Sequence, residues 1–400
     1  MSEITSLEEQ YIINTYGRSP ISTPSLVRGE GSYLWDENGK KYLDFLSGLA
    51  VNILGHCHPA VVGAINEQAD QLIHTSNLYY TKPQGELARE LVENTFPGGK
   101  VFFANSGAEA NEAAIKLARK NSADRYKIIT AERSFHGRTL ATVTATGQTK
   151  YQEPFKPLPE GFSYGRFNDL DSFAALIDGQ TAAILVEPIQ GEGGVYVAEE
   201  KFLQGLRRLC DENGMLLIFD EVQSGMGRSG RLWASQNWDV TPDIITAAKG
   251  LGGGLPIGAM IVREPYTGVF EPGNHASTFG GNPVVCRAAL AVLDTLLERG
   301  FLEEIQEKGI LVKDNLMKSL SSYSMLVKEF RGLGLMCALE LKKPWAKKIL
   351  KECTEAGLLI NAIDDYTIRL LPPLIITKEE LLEGLITLNS IFDNYAEVVQ

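Results

Sequence analysis

Six short apolar runs of strand length, Val101–Phe103, Lys127–Thr130, Ala182–Glu187, Met215–Asp220, Ile244–Ala247 and Gly258–Val262, recur between stretches of helical pattern. This alternation confines the chain to βα units around a largely parallel sheet, an α/β fold, because parallel strands need a crossover on the sheet face to join them. Several runs end in a polar residue followed by glycines. In open α/β sheets ligands gather at the carboxyl ends of strands, so the site is expected there.

Ahead of these runs, Tyr33-Leu34-Trp35 and Lys41-Tyr42-Leu43 flank Asp36-Glu37-Asn38-Gly39, whose Asn-Gly pair suits the positive φ angles of a tight hairpin. After about residue 290 the pattern changes to long amphipathic stretches, Ala291–Leu320 and Pro344–Ala356, with the strand-like Leu335–Leu341 between them. Pro344 fits a first helical position, where its missing N–H costs nothing. Four hundred residues exceed what one core usually supports. The expected division is a segment 1–60 joining a small domain, a large domain over 61–290, and a C-terminal small α+β domain over 291–400. No internal repeat or flexible linker interrupts it, so the two domains are expected to share a rigid interface.

A net charge of −12 opposes nucleic acid and anionic membrane surfaces. An anionic substrate must therefore meet locally placed arginines. The five cysteines are scattered without paired spacing, which indicates neither a disulfide framework nor a zinc site. The first ten residues are acidic and lack the features of a secretory signal, and no apolar run reaches membrane-spanning length, so a cytoplasmic location is expected.

Chemistry concentrates at three places. The strand ending at Asp220 puts a carboxylate at a buried edge, where it needs a cation or hydrogen-bond donors to offset desolvation; a protonated pyridine nitrogen would serve. Lys249 follows another strand and precedes Gly250-Leu251-Gly252-Gly253-Gly254, which leaves room around its amine. An unperturbed lysine is deprotonated in only about one molecule in a few thousand at pH 7, so a nucleophilic lysine requires desolvation or a neighbouring cation. Ser106, with the amides of Gly107 and Ala108 opening a helix, makes a phosphate cup.

Together with Gly29-Glu30-Gly31, Leu54-Gly55-His56-Cys57-His58-Pro59, Ser76-Asn77-Leu78-Tyr79-Tyr80 and Phe135-His136-Gly137-Arg138-Thr139, these motifs resemble the class-III aminotransferases of the fold-type I pyridoxal-phosphate enzymes. The resemblance runs from about Tyr16 to Pro373. It implies a large domain with a mainly parallel seven-stranded sheet, and pyridoxal 5'-phosphate held by Lys249 as a Schiff base. Asp220 would protonate the ring nitrogen. Ser106, Gly107, Ala108, Val222 and Gln223 would complete the cofactor set, with Phe135 stacked on the ring and Gln223 near its phenolic oxygen. Ser277 and Thr278 would reach in from the partner of a homodimer, Thr278 meeting the phosphate. Arg138 and Arg369 would read carboxylates, with Glu187 pairing to Arg369 when no dicarboxylate is bound.

Within the family the motifs are most like those of enzymes acting on acetylornithine with 2-oxoglutarate as acceptor. An apolar Leu49 suits an acylated α-amine better than a charged one. Succinylornithine, ornithine, acetyl-lysine and succinyldiaminopimelate remain open as donors, since one methylene changes binding by only about 1–3 kcal/mol.

His56-Cys57-His58 lacks metal-ligand spacing and reads as a structural turn, so no metal is assigned. His136 reads as a hydrogen-bonding neighbour of Phe135, and Glu192 as a loop residue without a role. Gly225-Met226-Gly227-Arg228-Ser229-Gly230 matches a dinucleotide pattern, yet it does not directly follow its strand, opens no clear helix and lacks the ribose-binding acid of a nicotinamide enzyme. A silent scaffold on the same fold is opposed by the joint presence of Lys249, Asp220, Arg138 and Arg369.

Overall fold

The computed structural model describes residues 2–122 and 124–399. Seven strands form its central sheet: β1 (Lys100–Ala104), β2 (Lys127–Ala131), β3 (Phe162–Gly165), β4 (Thr181–Val186), β5 (Leu216–Asp220), β6 (Ile244–Ala247) and β7 (Gly258–Val262). Their order is β1-β7-β6-β5-β4-β2-β3. β7 runs antiparallel to β6 and β1, whereas β6–β5, β5–β4, β4–β2 and β2–β3 are parallel. All six expected runs are strands of this sheet. β3 was not foreseen: it is a four-residue edge strand with only Gly165 buried, so it carries no apolar run to announce it.

Every residue of β4 and β5 is buried, as befits strands covered on both faces. Each large apolar side chain buried there contributes about 1.5–3 kcal/mol relative to exposure. Helix α1 (Gly107–Asn121) covers one face of the sheet. It begins where the Ser106 hydroxyl accepts the Glu109 amide at 3.2 Å and the Glu109 carboxylate returns to the Asn105 amide at 2.7 Å, a reciprocal cap. Ala110, Ala113, Ala114 and Ala118 are wholly buried, and their small size brings the helix close to the strands. A larger residue such as leucine at Ala114 would overpack this contact at a cost of about 1–3 kcal/mol.

Beyond the central sheet, the chain's two ends meet. Leu26–Glu30, Tyr33–Asp36 and Lys41–Asp44 form a meander whose last strand pairs in parallel with Leu358–Leu359. Val327–Leu333, Met336–Leu341, Thr367–Leu370 and Asn361–Ala362 build a further antiparallel sheet in that order. Among the described residues no helix is long and apolar enough to cross a membrane.

Three local expectations are corrected. The stretch Ala291–Leu320 is two helices, Pro283–Leu296 and Phe301–Ser322, separated by Gly300 at φ +91°. Pro344 lies before its helix, which spans Ala346–Glu355. In the hairpin that joins Tyr33–Asp36 to Lys41–Asp44 only Gly39 takes a positive φ, of +80°, because the Asp36 carboxylate accepts the amides of Asn38 and Lys40 and fixes a longer turn than an Asn-Gly pair would make.

Candidate active site

A cavity of about 440 Å³ opens at the carboxyl edge of the sheet, where β1, β5 and β6 end and the reversed β7 begins. Ser106, Gly107, Ala108, Phe135, Arg138, Glu187, Asp220, Val222, Gln223 and Lys249, ten of the expected site residues, line it. Gly258 lets β7 start against Ser106, since a Cβ there would fall 2.2 Å from the Ser106 carbonyl oxygen.

Asp220 is 3% exposed. Its Oδ2 accepts from Asn111 Nδ2 at 2.7 Å and lies 2.8 Å from His136 Nδ1, while its Oδ1 accepts the Val222 amide at 3.0 Å. Asn111 is itself fixed, donating to the His136 carbonyl at 2.8 Å and accepting from the Thr246 hydroxyl at 2.7 Å. His136 therefore serves Asp220 rather than Phe135. Asn111 went unrecognised in the sequence, although a polar residue on the same apolar helix face as Ile115 and Ala118 was a readable signal.

At the start of α1 the Ser106 hydroxyl is engaged by the Glu109 amide, which leaves the amides of Gly107 and Ala108 without an acceptor among the described residues. Gly107 also makes room for Val222, whose Cγ1 would lie 2.7 Å from a Cβ at that position. Phe135 packs edge-on against Tyr151 at 5.7 Å, and the exposed Arg138 guanidinium rests 4.1 Å from the Tyr151 ring centre. Among the described residues Arg138 has no carboxylate partner.

Lys249 opens a short 3-10 turn with φ at +46°, a left-handed conformation that costs energy for a residue with a Cβ. Burial holds its amine below the ordinary lysine range. Arg369 adds to that depression, and Glu192, Asp220 and Glu187 oppose it. Arg369 is 1% exposed and donates to Glu192 at 2.7 Å, to Gln223 Oε1 at 3.1 Å and to Asn361 Oδ1 at 2.8 Å. Burial opposes ionisation of Glu192, yet Arg369 and Lys249 hold its carboxyl below the usual range.

Two expectations about carboxylates fail here. Arg369 pairs with Glu192, not Glu187, and Glu192 is thus a site residue rather than a passive loop position. The Glu187 oxygens are occupied by the amides of Phe135 at 3.0 Å and Gly191 at 3.1 Å. Deep burial raises Glu187 to about 7, His136 lowering it and Asp220 raising it further. The sequence Gly191-Glu192-Gly193-Gly194 did carry the cue, a single acid among glycines.

Ser277 and Thr278 do not line this chain's cavity. The Ser277 hydroxyl lies 3.1 Å from Asn105 Nδ2 and accepts the Gly280 amide at 3.0 Å, while Thr278 is exposed. The dinucleotide-like glycines form successive turns instead of a phosphate loop. Within them Arg228, wholly buried, donates to the carbonyls of Leu335 and Pro372, and burial lowers it to about 9. His56 is engaged by Asp44 at 2.7 Å, and His58 occupies the position before the helix Pro59–Ala69 without making a side-chain capping bond.

These residues fit pyridoxal phosphate. Two free helix-terminal amides and the hydroxyl of Ser106 suit a phosphate, Asp220 Oδ1 retains accepting capacity for a ring N–H, and Gln223 Nε2 is buried without a partner. The chain matches the family Aminotransferase class-III over residues 17–392. It is 51% identical to the acetylornithine aminotransferase of Caldanaerobacter subterraneus subsp. tengcongensis over 96% of this chain and 98% of that protein. It is 49% identical to the acetylornithine aminotransferase of Methanocaldococcus jannaschii over 94% of each. Among solved structures, the ornithine aminotransferase of Toxoplasma gondii ME49 superimposes with a TM-score of 0.93 at 33% identity, covering 98% of this chain and 94% of that one. A taurine:2-oxoglutarate aminotransferase from Bifidobacterium kashiwanohense, in complex with PLP and glutamate, superimposes with a TM-score of 0.91 at 30% identity, covering 100% and 98%. A lysine, a carboxylate and a helix-end anion cup brought to one cavity thus agree with these likenesses, and the chain belongs to the class-III aminotransferases, enzymes that work with pyridoxal phosphate.

Proposed function

We propose that the protein transfers the terminal (delta) amino group of N2-acetylornithine to 2-oxoglutarate, giving N-acetylglutamate 5-semialdehyde and glutamate, as a step of arginine biosynthesis. The observation that carries this reading is a pair of guanidinium groups at the cavity, Arg138 in its lining and Arg369 behind the lining residue Glu192, taken with relatives near 50% identity that bear this activity in their names. Arg138 stands free, whereas Arg369 is reached by displacing Glu192. One site can then accept two different carboxylate substrates in turn.

Pyridoxal phosphate, when bound, supplies an electron sink and a carbonyl carbon for exchange with the substrate amine. The chain's own residues do the rest. Gly107, Ala108 and Ser106 would hold the phosphate, and Asp220 would keep a proton on the ring nitrogen. Asn111 and His136 prevent Asp220 from turning away. Lys249 Nζ, its proton affinity reduced by burial, would hold the cofactor covalently. Once released, its amine would take a proton from the amine-bearing substrate carbon and deliver it to the cofactor carbon within the same half-reaction, and would run that transfer in reverse with the acceptor. Arg369 and Arg138 would bind carboxylates through paired donors that fix orientation as well as charge.

We further read the working form as a cytoplasmic homodimer in which Ser277 and Thr278 serve the other copy's cofactor. Leu49, Leu78, Tyr79, Tyr80 and Phe279 are exposed, an amount of apolar surface that suits burial by a second chain. The test is a donor panel compared by kcat/KM with 2-oxoglutarate as acceptor. Acetylornithine is expected to exceed unmodified ornithine by at least about tenfold, on the cost of burying an unpartnered ammonium beside Leu49 once the second chain covers it. A higher value for ornithine would reject the assigned donor.

A further inference from the structure

Glu192 lines the inner cavity and also a second one of about 350 Å³. The second cavity touches the strand that carries Arg369, through Thr367. Arg133 and Lys150 line it, and neither has a carboxylate partner among the described residues. Arg133 donates to the Tyr196 hydroxyl at 3.0 Å and lies 5.3 Å from that ring, while Lys150 lies 4.8 Å from the Tyr151 ring that also carries Arg138. The acidic groups nearby are already engaged. Glu340 bonds Lys328 and Arg331, Asp364 accepts the amides of Tyr366 and Thr367, and Glu192 holds Arg369.

The wall between the two cavities is built closely. A Cβ at Gly193 would fall 2.7 Å from the Arg133 carbonyl oxygen, so the glycine loop bearing Glu192 rests on the Arg133 backbone. Arg133 itself has φ +63°, the left-handed region in which a residue with a Cβ is strained. In a chain of net charge −12, two cations without ion-pair partners among the described residues face one unpaired carboxylate, Asp364, and leave a net positive local field beside the glutamate that blocks Arg369, which draws anions against the overall potential.

We propose that the second cavity is an outer anion-binding station, where Arg133 and Lys150 capture the carboxylate of an incoming substrate before it displaces Glu192 from Arg369. The inference rests on the transaminase reading above and adds residues that reading does not use. Arg133→Gln, Lys150→Gln and the double variant are compared with the unaltered holoenzyme. At low ionic strength kcat/KM for 2-oxoglutarate falls about threefold in each single variant and about tenfold in the double, and the loss shrinks near ~0.5 M salt, as screened steering requires. Turnover at saturation and cofactor absorbance stay unchanged, and so does kcat/KM for an uncharged aldehyde acceptor. Glutarate, used as a non-reacting probe, perturbs the cofactor absorbance at higher concentration in the variants.

An undiminished kcat/KM at low salt, or an equal loss toward the uncharged aldehyde, overturns the proposal. Lys150→Gln alters only an exposed side chain and keeps the test available if Arg133 variants fold poorly. Failure of the unaltered enzyme to turn over acetylornithine would instead reject the donor assignment, and the glutarate titration would still decide the station.

Discussion

Asp220 and Arg369 are both buried charges beside one cavity, but they are satisfied in opposite ways. Asp220 is held by Asn111 from a helix, His136 from the loop after β2, and the amide two residues on, partners fixed within the packed fold. Arg369 is held chiefly by Glu192, a side chain on a glycine loop that can be replaced by another carboxylate. The contrast separates a permanent geometry, which a bound ring would use without rearrangement, from an exchangeable pair, which a substrate would use by competing for it.

Asp220→Asn is the substitution with the largest expected effect. Removing one charge from a buried network costs about 3–5 kcal/mol, and where that loss falls on the transition state, as the proposed role requires, turnover at saturating substrate drops by roughly 10²–10⁴. A loss below tenfold would show that the carboxylate charge is not needed.

Glu187 tests the fixed side through pH. Its folded carboxyl is raised to about 7, with burial the main cause, against an ordinary value of 4.5. The native state then binds the extra proton between those values, so stability is fully present below about 4.5 and declines as pH rises toward 7, by no more than about 3 kcal/mol. Urea unfolding of the cofactor-free protein from pH 4.5 to 7.5 reads this slope. Glu187→Gln should flatten that contribution; an identical slope in both proteins would assign the pH dependence elsewhere.

The smallest expected effect concerns the exchangeable side. Glu192→Gln keeps a hydrogen bond to Arg369 but loses its charge, and a charge-assisted bond is about twice as strong as a neutral one. KM for 2-oxoglutarate should fall about fivefold to tenfold, since about 1.4 kcal/mol of competition is removed per tenfold change. An unchanged KM would mean that Glu192 is not displaced in the cycle.

The parallel sheet was legible because its central strands are buried on both faces and read as continuous apolar runs, and the site followed because Asp220, Ser106 and Lys249 lie just where those runs end. The edge strand Phe162–Gly165 was hidden because three of its four residues are only partly buried and polar residues are tolerated there. Lys249, Asp220 and the helix-end amides could be recognised from local sequence. The partner of Arg369 could not, because Glu187 and Glu192 are five residues apart on the same connection, and backbone amides, invisible to a reading of side chains, decide which carboxylate is free. Asn111 and Arg133 went unseen for a related reason: their partners are distant in sequence and meet them only in the folded chain.

Every step proposed above requires that Lys249 Nζ carry the cofactor. Borohydride reduction of the coloured protein, followed by proteolysis and mass mapping, tests it directly. One pyridoxyl adduct is expected, on the peptide containing Lys249 and absent in Lys249→Ala; an adduct on any other lysine would show that this amine is not the attachment point.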